Sequence, residues 1–244
     1  MESYYEKDTL GLFIAQKNLF KLYLRTKDSV ALAKHLRYKG LICYLKLDPT
    51  CYFSYYQQSK DISLKLRDSL EVGKRLTYMA MIQKDVKDYL GSEITTIEAL
   101  KYIEPLKQKK YLSILYNNLG ILLSRTKRTE EARKYYNLSN EIDQKSSNKK
   151  TREESYLALL NNIAFSYREE RKFKKAISII KKGLAFDSIQ YKYPIDYEIL
   201  LGNLSNNQLM LGKKKQALLG YQKVLKLREA RNDIYDQSIS HSLL

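Results

Sequence analysis

Apolar residues recur at helical spacing along most of the chain, and they do so in a repeating arrangement. Residues 115–123 and 159–167 each place large apolar side chains three or four positions apart, around a central small residue. A short polar turn follows each segment, and a second amphipathic stretch then begins at Glu130 or at Lys174. No alternation of apolar and polar residues is long enough to indicate a β-sheet. The pattern therefore predicts tandem pairs of antiparallel helices.

One small residue marks the middle of each predicted first helix. Two antiparallel helices approach closely only where a side chain is small, so these residues indicate the contact between the helices of a pair. Each pair leaves an apolar face open, which the neighbouring pair must cover, as in a solenoid. The markers recur at a nearly constant spacing and are Gly40, Ala80, Gly120, Ala164 and Ser205. The second helices of the last three copies carry Ala132, Ala176 and Ala217, each at the same distance after its marker.

These residues resemble the tetratricopeptide repeat family, in which a large residue, Leu-Gly and an aromatic mark the first helix. Tyr116, Leu119 and Gly120, followed by Ala132 and Tyr136, fit that pattern. The copies around Gly40 and Ala80 depart further from it. The spacing exceeds the family's usual length and resembles a variant of about 40 to 44 residues found in kinesin light chains and bacterial signalling proteins. The resemblance implies an all-α fold, a right-handed superhelical solenoid of antiparallel helix pairs.

The repeat spacing predicts one helical-repeat domain over residues 1–244. Both ends of the chain resemble halves of further repeats, so we expect a piece of a longer protein. The approximate repeats are 25–66, 67–106, 107–150, 151–191 and 192–232, flanked by partial repeats at 1–24 and 233–244.

Charge and hydropathy narrow the class of protein. The chain carries 44 basic and 27 acidic residues, a formal net charge of +17. Such a surface attracts polyanions, so weak nucleic-acid binding is an alternative function. We expect an ordinary solvated basic surface instead. No apolar run is long enough to span a membrane, and the segment 1–20 carries charges where a signal peptide is apolar. We expect a cytoplasmic protein; a periplasmic one is the alternative if the chain comes from a membrane-bound sensor.

Residues suited to catalysis are few. The sequence has two histidines, His35 and His241, and two cysteines, Cys43 and Cys51, too few for a four-ligand zinc site. Phosphate-binding glycine motifs are absent from the sequence. We therefore expect no enzymatic activity, no metal and no cofactor. The cysteines are expected to be small core residues, although their spacing also allows a redox pair.

Three asparagines occupy the same place in successive repeats. Asn118, Asn162 and Asn203 each precede a marker residue by two positions. The family resemblance implies that they face a concave surface and hold the backbone of an extended peptide, since a carboxamide bonds both C=O and N–H groups. The alternative is that each asparagine bonds a neighbouring helix. Four cations project from the same helices and favour an acidic ligand: Arg37, Lys84, Arg125 and Arg168.

The function predicted from the sequence is a non-enzymatic scaffold that binds a protein or peptide in its concave groove. One alternative is a sensor or regulatory module of a bacterial two-component kinase or transcription regulator, since the long repeat often accompanies such proteins. A second alternative is weak nucleic-acid binding through the basic surface. We expect a protein or peptide partner, of acidic character, and neither a specific nucleic-acid partner nor membrane contact.

Overall fold

A computed structural model describes the backbone of residues 9–230 and the side chains of residues 11–230. Within that range the chain forms twelve helices in tandem and no strand, so the predicted all-α helical-repeat fold is confirmed. The predicted partial repeat at 233–244 and His241 lie outside the described residues. The helices are α1 (Thr9–Thr26), α2 (Ser29–Leu45), α3 (Pro49–Lys65), α4 (Ser69–Asp85), α5 (Tyr89–Ile103), α6 (Lys109–Arg125), α7 (Thr129–Asp143), α8 (Lys149–Glu169), α9 (Phe173–Leu184), α10 (Ile189–Lys192), α11 (Pro194–Met210) and α12 (Lys214–Ala230).

The chain divides into two compact units, residues 1–118 and residues 119–244, with the boundary inside α6. In the first unit each of α1 to α4 packs against the next helix. In the second unit α8 packs against α7 and α9, and α11 packs against α8, α9 and α12. A first helix such as α11 therefore covers both helices of the pair before it. This contact between neighbouring pairs is how a helical repeat buries the apolar face of each pair.

The turns of the first unit recur with a regular period. Helices α2, α3 and α4 are equal in length, and a three-residue turn follows each of them. In each turn, and in the one before α2, a residue with left-handed backbone precedes an aspartate. The left-handed residue ends the helix, and the aspartate side chain accepts a backbone N–H of the next helix. The pairs are Lys27 with Asp28, Leu47 with Asp48, Arg67 with Asp68, and Lys87 with Asp88.

This period explains the spacing between the markers Gly40 and Ala80. Two helices of 17 residues and two turns of three residues make one repeat of 40 residues. The left-handed residues are not glycines, so each turn tolerates a backbone strain of about 1 to 2 kcal/mol. The aspartates offset part of that cost by satisfying N–H groups that a helix cannot bond within itself.

We expect Asp68→Ala to lower the free energy of unfolding by about 0.5 to 2 kcal/mol, because the Glu71 N–H loses its acceptor. Asp68→Asn keeps an acceptor oxygen and serves as the matched control. Chemical denaturation measures both variants. If both variants lose the same free energy of unfolding, the charge of Asp68 stabilises the protein and its capping hydrogen bond does not.

The marker residues lie where the helices of a pair approach most closely. A Cβ atom added to Gly40 would lie 2.5 Å from the ring of Tyr56, and one added to Gly120 would lie 2.5 Å from the ring of Tyr136. The equivalent Ala80 and Ala164 are fully buried. Ser205 is also buried, and an added Cβ at Gly220 of α12 would collide with its hydroxyl. The small residue thus makes room for a large or polar neighbour.

Two glycines in helix interiors provide a matched test of this packing. Gly120→Ala places a methyl group against Tyr136 and should lower the free energy of unfolding by about 1 to 3 kcal/mol. At Gly202, in α11, an added Cβ meets no atom within 4 Å. For Gly202→Ala, helix propensity should therefore raise that free energy by about 0.5 to 1 kcal/mol. Chemical denaturation of both variants measures the effects, and the same sign of change in both would contradict the assigned contact.

Candidate functional site

The seven predicted site residues fall in different units. Arg37, Lys84 and Asn118 belong to the first unit, whereas Arg125, Asn162, Arg168 and Asn203 belong to the second.

Asn118 in the first unit bonds a neighbouring helix. Its side chain is buried, and its amide nitrogen lies 3.1 Å from the Ser92 hydroxyl oxygen and 2.8 Å from that of Thr96. Both hydroxyls are on α5, so the asparagine ties α6 to the helix before it. This placement corresponds to the alternative in which the asparagine has a structural role.

The two predicted cations of the first unit have local partners. The Arg37 guanidinium carbon lies 4.4 Å from the centre of the Tyr38 ring. The Lys84 ammonium lies 2.9 Å from a carboxylate oxygen of Asp85. At the repeat position of the asparagines, α2 and α4 carry Tyr38 and Tyr78. The first helices of this unit therefore carry aromatic groups at that position, before the asparagine of α6.

In the second unit the predicted Arg168 shares one face of α8 with two residues that were not predicted. Asn161, Phe165 and Arg168 follow one another at spacings of four and three positions, which places them on one face of that helix. The guanidinium carbon of Arg168 lies 4.6 Å from the centre of the Phe165 ring. Arg125 reaches the same ring from α6, at 5.4 Å. Two cations from different helices are thus held on one phenyl ring.

An amide pair adjoins this ring. The Asn203 side-chain nitrogen on α11 donates to the Asn161 side-chain oxygen on α8, at 2.6 Å. Asn162, the next residue of α8, is half-buried. Sequence reasoning missed Asn161 and Phe165, although the Asn161-Asn162 dipeptide and its spacing to Phe165 were visible. We call the following six residues the α8 surface: Arg125, Asn161, Asn162, Phe165, Arg168 and Asn203.

Gly202 opens space beside the α8 surface. It occupies in α11 the repeat position that Asn161 occupies in α8, three positions before the marker. An added Cβ would meet nothing within 4 Å, so packing does not require a glycine there. A glycine in a helix interior costs stability relative to alanine. Because Gly202 has no side chain, another group can approach the α11 backbone closely next to Asn203.

Acidic neighbours neutralise some cations near the α8 surface. Burial would raise the pKa of Glu170, but hydrogen bonds from Lys172, Thr129 and Arg133 outweigh burial and lower that pKa to about 2. Glu170 therefore stays negative and pairs with Arg133. Arg168 has a carboxylate oxygen of Glu169 at 3.4 Å. Arg168 therefore has an acidic neighbour on its own helix.

No group of three or more His, Cys, Asp or Glu residues suited to a metal ion occurs among the described residues. No helix within that part of the chain is long and apolar enough to cross a membrane. His35 is buried, with Nδ1 2.9 Å from the Gln16 carbonyl oxygen, as an ordinary packed histidine.

The family model of the tetratricopeptide repeat matches residues 114–146. The predicted resemblance to this family is confirmed. The matched segment contains Asn118 and Arg125 and covers most of α6 and all of α7. No curated protein sequence is significantly similar to the chain.

Solved structures share the fold of the chain at low sequence identity. The chain is similar to BtubC (BKLC) from P. vanneervenii, with 16% identity and a TM-score of 0.69 over 94% of this chain and 92% of that one. The quorum sensor NprR from B. thuringiensis has 13% identity and a TM-score of 0.71, over 95% of this chain and 64% of that one. The TPR-like repeats of a putative kinesin light chain from Podosopora anserina have 14% identity and a TM-score of 0.56, over 85% of this chain and 96% of that one. These similarities show a common fold.

The placement of Asn118 leads to a stability prediction. Asn118→Ala removes the donor to two buried hydroxyl oxygens and should lower the free energy of unfolding by about 1 to 3 kcal/mol. Asn162→Ala removes the same group from a half-buried site and should change that free energy less. Thermal and chemical denaturation compare the two variants. A larger loss for Asn162→Ala would reverse the roles assigned here.

Proposed function

We propose that the chain is a non-enzymatic scaffold and that its α8 surface binds an extended, acidic segment of a protein or peptide. One observation carries the proposal: Arg125 and Arg168, from different first helices, lie over the same Phe165 ring beside the Asn161–Asn203 amide pair. Cations, an aromatic ring and carboxamides are thus combined on one surface of the second unit.

The arginines supply the preference for acidic side chains. A guanidinium that lies on an aromatic face still directs its N–H groups outward along its edge, where a carboxylate accepts them in pairs. Phe165 limits the freedom of both side chains, so less conformational entropy is lost when a ligand binds. The net charge of +17 would speed the encounter with an acidic segment.

The asparagines supply contacts to a ligand backbone. Each carboxamide has two N–H donors and an oxygen with two acceptor positions. The bond from Asn203 to Asn161 therefore uses part of the capacity of that pair. The gap at Gly202 lets a backbone approach α11 next to these amides. Such contacts bind the backbone of an extended chain and do not depend on its side chains.

A sensor or regulatory module would use the same surface. The fold shared with the quorum sensor NprR supports that version of the proposal. The ligand chemistry proposed for the α8 surface is the same in both cases.

The test uses fluorescein-labelled ten-residue peptide pools, one rich in Asp and Glu and one rich in Lys and Arg. We expect the acidic pool to bind more tightly in fluorescence anisotropy. Asn162→Ala should weaken that binding about three- to tenfold, which corresponds to about 0.5 to 1.5 kcal/mol for one neutral hydrogen bond. Its melting temperature should stay near that of the parent.

Charge variants test whether the acidic peptides bind at the α8 surface. Arg168→Gln should weaken binding of the acidic pool more than Lys181→Gln, which removes one exposed charge from α9 and serves as the matched control. Gly202→Leu fills the open space and should weaken binding without lowering stability. If Arg168→Gln and Lys181→Gln have equal effects, the binding is a property of the net charge and the α8 surface is not the site.

A single-stranded oligonucleotide of mixed sequence tests the nucleic-acid alternative. We expect weak binding that falls steeply with salt and disappears near physiological ionic strength. Tight, sequence-selective binding at that salt would overturn the peptide proposal.

A further inference from the structure

Cys43 and Cys51, the two cysteines of the sequence, are joined by a disulfide in the first unit. Cys43 lies in the last turn of α2 and Cys51 in the first turn of α3, and their Cα atoms are 5.6 Å apart. The expectation of two small core residues is therefore incomplete. We propose that Cys43 and Cys51 form a reversible redox pair, which exchanges with small thiols and disulfides and controls the stability of the α2–α3 turn.

The backbone of the turn holds the two cysteines together independently of the sulfur bond. The Asp48 N–H donates to the Cys43 carbonyl at 3.0 Å, and the Cys51 N–H donates to the Asp48 carboxylate at 2.9 Å. Leu47 between them has the left-handed backbone that ends α2. The two thiols of the reduced protein therefore remain close, which favours ring closure over reaction with a second molecule.

The two cysteines differ in burial. Cys43 is buried and belongs to the cluster that contains Tyr52, Tyr56 and Ile82, whereas Cys51 is half-buried at the start of α3. A helix N-terminus stabilises a thiolate. These differences assign Cys51 as the residue that meets external thiols and Cys43 as the residue that resolves the mixed disulfide.

The exchange is balanced with an ordinary disulfide as the oxidant. The Cys51 thiolate attacks one sulfur of the small disulfide, forms a mixed disulfide and releases one small thiolate. The Cys43 thiolate then attacks the Cys51 sulfur, closes the protein disulfide and releases the second small thiolate. Two protein thiols are oxidised and one small disulfide is reduced to two thiols; reduction follows the same steps in reverse.

The disulfide connects the turn to an aromatic cluster. The Tyr52 ring lies 4.1 Å from that of Tyr56 and 6.0 Å from that of Tyr44, measured between ring centres. Tyr56 in turn packs at the Gly40 contact. That contact holds α2 to α3 in either redox state, so we expect reduction to loosen the turn without separating the helices.

The test equilibrates the purified chain in glutathione buffers of graded oxidation, traps free thiols by alkylation and counts them by mass spectrometry. We expect the doubly alkylated form to give way to an intramolecular disulfide as the oxidised fraction rises. In Cys43→Ser the mixed disulfide with glutathione should accumulate on Cys51, and in Cys51→Ser less should form on Cys43. Two thiols that stay reduced in oxidised glutathione, or a disulfide that reduced glutathione opens only in denaturant, would overturn the proposal.

A second measurement shows whether the disulfide controls the stability of the α2–α3 turn or only reacts with small thiols. Reduction by dithiothreitol should lower the melting temperature by about 5 to 10 °C and should speed hydrogen exchange in the segment 44–52. The double variant Cys43→Ala with Cys51→Ala is the control, and its melting temperature should not respond to the reductant. Equal melting temperatures for the oxidised and reduced parent would contradict control of the turn.

Discussion

The close approach of two helices at one small residue is the contact on which each repeat depends. At Gly40 and Gly120 the ring of Tyr56 or Tyr136 occupies the space that a side chain would need. A larger residue there would move one helix of the pair, and the neighbouring pair would then lose the surface that it covers. In the first unit the three-residue turns keep α2, α3 and α4 at a common length. Equivalent positions therefore recur along successive first helices.

The helix pairs and their marker residues could be predicted because periodicity and side-chain size are local properties of the sequence. The evenly spaced aspartates were equally visible, and they would have located the turns of the first unit. The role of Asn118 could not be predicted in the same way, because it depends on the hydroxyls of Ser92 and Thr96 on another helix. The pairing of Cys43 with Cys51 likewise depends on how the turn is closed.

The position two residues before the marker shows how one fold supports different surfaces. It holds tyrosine at Tyr38 and Tyr78, a buried asparagine at Asn118, and half-buried asparagines at Asn162 and Asn203. The marker beside it stays small in every copy because helix packing requires this. The position two residues before it accepts side chains of different size and polarity, from tyrosine to asparagine, without altering the fold.

Gly202 is informative because its residue type is not explained by packing. Gly40 and Gly120 are explained by the tyrosine rings opposite them, whereas the space around Gly202 is open. A helix-interior glycine that packing does not need lowers stability by about 0.5 to 1 kcal/mol relative to alanine. A repeat protein tolerates such a local cost because its stability is a sum over pairs and their interfaces. In the proposed function, the approach of a ligand backbone beside Asn203 would offset this local cost.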